Sequence, residues 1–281
     1  MLSSHKFRSA FLICAAAASA ASLSIAAEPT RIVFQNGRAV QISAVALQGD
    51  RLVIRSSADG FNEGQAFPLT SADHVFGEKP AATNSGIALL LMGKPAEAIK
   101  LLEPVLLEHQ VTAKIPGNFW LEAARAALVA HALEGNSSKL AEIGKEISDA
   151  TPMPGNDPYI ALGKALSLPS STKAEDLETA FRDLTTDNLP ADLCAYASIY
   201  RANLLKSLKR DAEALEAYLS VPCLFPSGGM VLNAVAELNA AEFLAAMGRR
   251  DEAVALLKSA MREAVGTLVA SEANKRLESL K

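Results

Sequence analysis

Apolar and polar residues alternate from Arg31 to about Gly77, and turn-forming residues break the alternation at short intervals. RIVF and RAVQI flank Gln35-Asn36-Gly37. Asn-Gly between two apolar runs signals a hairpin, because both residues tolerate positive φ. VALQGDRLVIR repeats the arrangement around Gly49-Asp50, and a looser loop, SSADGFNEG, leads to a last expected strand at QAFPL. The apolar phase slips near Ser43-Ala44, which predicts a bulge or bend in the second strand. About four short strands are expected, in a β module small enough to need packing against the remainder of the chain.

After Glu78-Lys79-Pro80 the period lengthens to that of helices joined by short loops rich in Gly, Pro, Asn and Asp. One phrase recurs within this part. LLLMGKPAEAIKLLEPVL begins at Leu89, LAAMGRRDEAVALLKSAM begins at Leu244, and LKSLKRDAEALEAY begins at Leu205. In each copy a small residue (Gly86, Ala202, Ala241) precedes a key alanine (Ala98, Ala214, Ala253), so that two helix axes can approach closely. Gly93 and Gly248 fall where the chain must reverse, and Lys209 stands there in the middle copy. Large residues one turn on (Leu102, Tyr218, Leu257) are placed to fill the groove to the next unit, and Pro226 ends one helix. A fixed period with two helices per unit predicts a helical solenoid.

These residues resemble the tetratricopeptide repeat family over roughly residues 82–110, 193–226 and 232–264. The early aromatic of that family's first helix is missing from all three units, and the units are somewhat longer than its usual repeat. Two further, degenerate pairs are read in FWLEAARAALVAHALEGNSSKLAEIGKEI and in DPYIALGKALSL with AEDLETAFRDL. VASEANKRLESL at the end places Leu268, Ala273, Leu277 and Leu280 near one face, as a capping helix requires. The expected class is α+β. A small N-terminal antiparallel β module over 28–80 precedes an all-α, tetratricopeptide-like superhelical solenoid of about five helix pairs and a capping helix over 81–281.

Residues 1–27 read differently from both parts. Lys6 and Arg8 precede the apolar run FLICAAAASAASLSIAA, with small residues at its end, which is the layout of a cleaved secretory leader. A periplasmic or secreted protein is therefore expected. Over the whole chain 27 basic and 31 acidic residues give a net charge of −4, which argues against a nucleic-acid partner. No run beyond the leader is long and apolar enough to be expected to span a membrane. Aromatic residues make up 5% of the chain, consistent with Ala- and Leu-rich helices packed closely.

Candidate chemistry is sparse. Beyond the leader the cysteines are Cys194 and Cys223, placed near the start of one helix and just past the end of its antiparallel partner, with the turn at Lys209-Arg210 between them. That geometry brings both to one end of a hairpin and, in an oxidising compartment, predicts a disulfide. Its stabilisation would be roughly 3–4 kcal/mol by loop closure; two buried thiols are the alternative. His74, His109 and His131 are isolated, with no second ligand at metal-binding spacing. No nucleophile elbow, zinc-helix motif or phosphate loop occurs, so neither enzyme chemistry nor a cofactor is expected. Trp120 reads as a core anchor at a helix start.

The family resemblance implies a concave groove lined by the first helix of each pair. Some members clamp a peptide carboxylate with asparagines at positions that here hold Asn203 and Asn239, with Lys206 one turn beyond Asn203 and Tyr196 two turns before it. Ile199 stands where the clamp has lysine. The resemblance thus implies a non-enzymatic scaffold that binds a protein or peptide, plausible in cell-envelope assembly, with self-association through a solenoid end as a further option. The alternative is a ligand-binding or glycan-active envelope protein. Its site would lie between the β module and the first helices, where Phe61, Phe67 and Trp120 could form an aromatic platform.

Overall fold

The computed structural model describes residues 28–151 and 157–280; the expected leader lies outside them. The first part holds two three-stranded antiparallel sheets. In one, β1 (Arg31–Phe34) lies between β2 (Ala39–Gln41) and β6 (Ala72–Phe76); in the other, β4 (Arg51–Ile54) lies between β3 (Val45–Gln48) and β5 (Ala66–Pro68). Gly37 (φ 79°) and Gly49 (φ 58°) turn the two expected hairpins in the left-handed conformation that glycine accepts without strain. The slip in apolar phase coincides with a 3₁₀ turn at Ile42–Ala44, which carries the chain from one sheet to the other. A second 3₁₀ turn, Leu69–Ser71, carries it back.

The module therefore has six strands among the described residues, against about four expected. The last, β6, buries Val75 alone, so no alternation marks it in the sequence. It is held by pairing with β1, across a register shift between Val33 and Phe34. Both sheets share one core of Ile32, Phe34, Val40, Leu52, Ile54 and Phe61, with the rings of Phe34, Phe61 and Phe67 5.1–5.5 Å apart.

Eleven helices complete the described residues. They are α1 (Ala81–Leu91), α2 (Pro95–His109), α3 (Trp120–Leu133), α4 (Ser137–Ala150), α5 (Pro158–Leu166), α6 (Ala174–Arg182), α7 (Ala191–Ser207), α8 (Asp211–Leu224), α9 (Met230–Ala246), α10 (Arg250–Glu263) and α11 (Leu268–Ser279). Consecutive helices pack on each other in pairs, with α11 laid against α9 and α10. The close approach expected at Gly86 is present: a Cβ there would stand 2.7 Å from Leu102 of α2. Gly163 on α5 is as tightly faced by Leu128 of α3.

The open groove implied by the family resemblance does not form. Helix α1 packs against α3, and also against α9 and α11, so that the first pair meets the last. The helices that would line a groove are instead core. Helix α3 buries Ala123, Ala124, Ala126, Ala127 and Ala130, and α9 is buried on nearly all sides from Val231 to Leu238. Alanine-rich faces permit this convergence, since short side chains leave no volume to hold the axes apart. Arg125 of α3 ties the centre together. It donates to Asp157, the N-cap of α5 (2.7 Å), lies 3.7 Å from Asp192 of α7, and stacks over Tyr159 at 4.7 Å.

The two parts meet at the connection between α2 and α3. Asn118 donates to the carbonyls of Ala113 and Ile115 and accepts from the amide of Leu121, fixing the loop that precedes α3. Ile115 enters the β core, and the Pro116 carbonyl accepts a hydrogen bond from the Val75 amide at 2.9 Å.

Candidate functional site

The four residues assigned to a peptide clamp are engaged within the chain. Tyr196 is 3% exposed, its ring edge-on to Tyr159 in the helical core. Asn203 accepts a hydrogen bond from the Tyr218 hydroxyl. Lys206 pairs with Glu242 of α9 at 2.9 Å, and Asn239 donates back to the Val235 carbonyl one turn earlier. Helices α7 and α9 do lie side by side, as the repeat pattern implies. Their packing leaves the tyrosine no access to a ligand.

The expected disulfide is not formed. Cys194 is buried, with its thiol turned to the Thr186 and Leu189 carbonyls at 3.6 and 3.9 Å, while Cys223 is exposed. The hairpin brings the two chain segments to one end, as expected. The side-chain direction on α7 then decides the outcome: Cys194 faces the loop before its own helix instead of α8. Burial pushes its thiol pKa up, with Asp192 adding to the effect, so the group is a poor nucleophile.

The aromatic platform is not assembled either. Phe61 and Phe67 pack with Phe34 inside the β module, and Trp120 lies in the helical core, 1% exposed. The junction they were expected to mark does carry a concave surface. A hollow of about 710 Å³ lies between the β2–β3 corner and the end of α2, with Val45, Leu47, Arg55 and Val111 in its walls. A second, of about 430 Å³, lies between α2, α3 and α4. Leu107 and Gln110 border both, so the two hollows adjoin as a divided trough across the last turns of α2. Leu107 stands on the divide, 79% exposed.

Local sequence explains this placement. Pro95 starts α2, and Pro104, lacking an amide hydrogen, sits inside it beside Glu103. Helix α2 gives way after His109 to a 3₁₀ turn, Gln110–Thr112, which swings the chain toward the β module. Helix α4 is capped by Asn136, whose side chain accepts from the Lys139 amide. From there Lys139, Glu142 and Glu146 succeed one another at helical spacing and line the second hollow.

His131, in the last turn of α3, is the unusual member. It is 4% exposed, and neither ring nitrogen has a hydrogen-bond partner among the described residues. Its Nε2 lies 3.8 Å from Glu103 of α2. Burial lowers its pKa, more strongly than the opposing pull of Glu103, which keeps the imidazole neutral at pH 7. Burial, aided by Glu142, raises the pKa of Glu146, and Lys139 is held charged by its hydrogen bond to Glu142 at 2.9 Å. Trp120 lines the same hollow, and its Nε1–H also has no hydrogen-bond partner among the described residues. In the sequence His131 is solitary, because its neighbours come from two other helices; the Lys139-Glu142-Glu146 face is the visible part.

No family model, no curated protein and no solved structure matches the chain. Among the described residues no group of three or more His, Cys, Asp or Glu side chains is arranged to hold a metal ion. Among them, too, no helix is long and apolar enough to cross a membrane.

Proposed function

We propose that the protein is an exported, non-enzymatic interaction protein, built on tetratricopeptide-like helix pairs, that holds a segment of another protein in the trough between the β module and the first two pairs. The observation that carries the reading is that the two hollows adjoin on either side of an exposed Leu107. Leu107 gives a partner segment an apolar contact between two concave surfaces with polar walls. The leader-like residues 1–27 support export, and the recurring phrase supports the family resemblance.

The test is affinity capture from a cell-envelope extract with three forms of the protein: wild type, Leu107→Asp, and Asn203→Ala/Asn239→Ala. A partner held by the wild type and the asparagine double variant, and lost with Leu107→Asp, is the expected result. Retention by Leu107→Asp would move the binding surface away from the trough.

A ligand- or glycan-binding role at the same junction is the second reading. The gathering of Glu103, Glu142, Glu146 and a neutral His131 in one hollow favours it. Binding of envelope glycan fragments that Leu107→Asp leaves intact would select it.

A further inference from the structure

We infer that the hollow around His131 receives an arginine or lysine side chain of the partner segment, while the Leu107 side of the trough takes an adjoining apolar residue. The inference rests on the trough being the docking surface, and adds the chemistry of what enters it. Three carboxylates, Glu103, Glu142 and Glu146, line the hollow against one ammonium, Lys139, which is already committed to Glu142. The charge is therefore complementary to a cation.

The buried polar groups ask for the same occupant. Two nitrogens of His131 and one of Trp120 are buried without a hydrogen bond among the described residues, a cost that polar groups of a guest would relieve. The neutral imidazole has a lone pair and needs a donor, which a guanidinium or ammonium supplies. The indole N–H needs an acceptor, which the segment's own backbone carbonyl supplies. A peptide carries both groups, and a simple metal cation offers no acceptor.

The arrangement also sets a direction with pH. The groups facing His131 are Glu103 from α2, Lys139 and Glu142 from α4 and Glu134 from the intervening turn, with Glu146 further along the hollow. On acidification His131 gains a positive charge and Glu146, whose pKa burial raises, loses its negative one. Both changes oppose a cationic guest, so affinity falls as the solution is made acidic.

The protein contains a single tryptophan, so one indole cross-peak in a ¹H–¹⁵N spectrum reports the hollow directly. The probes are an acetylated, amidated tripeptide with arginine between two leucines, and its counterpart with neutral, isosteric citrulline. The arginine peptide is expected to shift the indole peak and to bind about tenfold more tightly than the citrulline peptide at pH 7.5. That advantage is expected to shrink as the pH is lowered and to vanish in Glu103→Gln/Glu146→Gln, whose remaining spectrum shows that it is folded. Equal binding of the two peptides, or an indole peak that neither moves, overturns the inference. A captured partner lost with Leu107→Asp but retained by Glu103→Gln/Glu146→Gln leaves the trough as the docking surface and removes the cation from it.

Discussion

Two buried glutamates show how far a residue's chemistry depends on where the chain puts it. Glu178 on α6 accepts hydrogen bonds from Arg201 at 2.9 Å and Arg210 at 2.6 Å. Desolvation would raise its pKa, but these two guanidinium groups outweigh it and hold the carboxyl below its usual value. Glu237 on α9 is 6% exposed and has no such partner; one of its oxygens is unbonded, as is one of Glu263 on the neighbouring helix. Burial first, then the proximity of Glu263, pushes Glu237 up to about 7 against a hydrogen bond from Ser259. In the unfolded chain the same group titrates near 4.5. The native state therefore keeps a proton that the unfolded state has released, and the associated stability is complete below about pH 4.5 and lost as the pH rises through about 7. Glu237→Gln is expected to melt about 2–4 °C above the wild type at pH 8, as about 1 kcal/mol would produce. The gap is expected to close at pH 5, followed by circular dichroism. An equal gap at both values would place the effect in packing and not in titration.

At the scale of elements, the helix pairs were legible because their constraints are local. Four of the five connections between paired helices turn through a left-handed residue, Gly93 (φ 77°), Gly135 (φ 70°), Lys209 (φ 61°) and Gly248 (φ 77°), and the α5–α6 connection does without one. Three of the four are glycine, which is why the repeated phrase stands out, and the lysine marks the one turn carrying the strain of a Cβ. Lys209→Gly is expected to stabilise the protein by about 0.5–1 kcal/mol in urea unfolding; a loss of stability would show that the lysine side chain contributes more than its backbone costs. Less of the β module was legible. Strand β6 has one buried residue and exists because β1 offers it a free edge, a condition no local pattern records. The candidate site was legible only in part. The Lys139-Glu142-Glu146 face comes from helical spacing, while Glu103, Trp120 and His131 join it because α3 packs against both α2 and α4.

The whole molecule differs most from expectation in the contact of its first helix with its last pair. An open row of repeats loses stability at the end where a unit is removed, because each unit touches only its neighbours. Here α1 packs on α9 and α11. Ending the chain after Thr267, which removes α11, is expected to lower amide-exchange protection in α1 as well as in α9 and α10. Protection in α1 unchanged by the truncation would return the molecule to an open row.

The sequence alone determined the division into a strand-rich part and a helical part, the number of helix pairs, the position of their turns and the bend between β2 and β3. Each of these depends on periodicity or on a residue's own φ, within a few positions of the chain. Tertiary structure decided that the inner helices converge, that Tyr196 and Cys194 are enclosed, and that His131 faces Glu103 across two helices. Those outcomes depend on the directions of side chains from distant helices, and alanine-rich surfaces permit more than one way of bringing such helices together until the complete set of contacts selects among them.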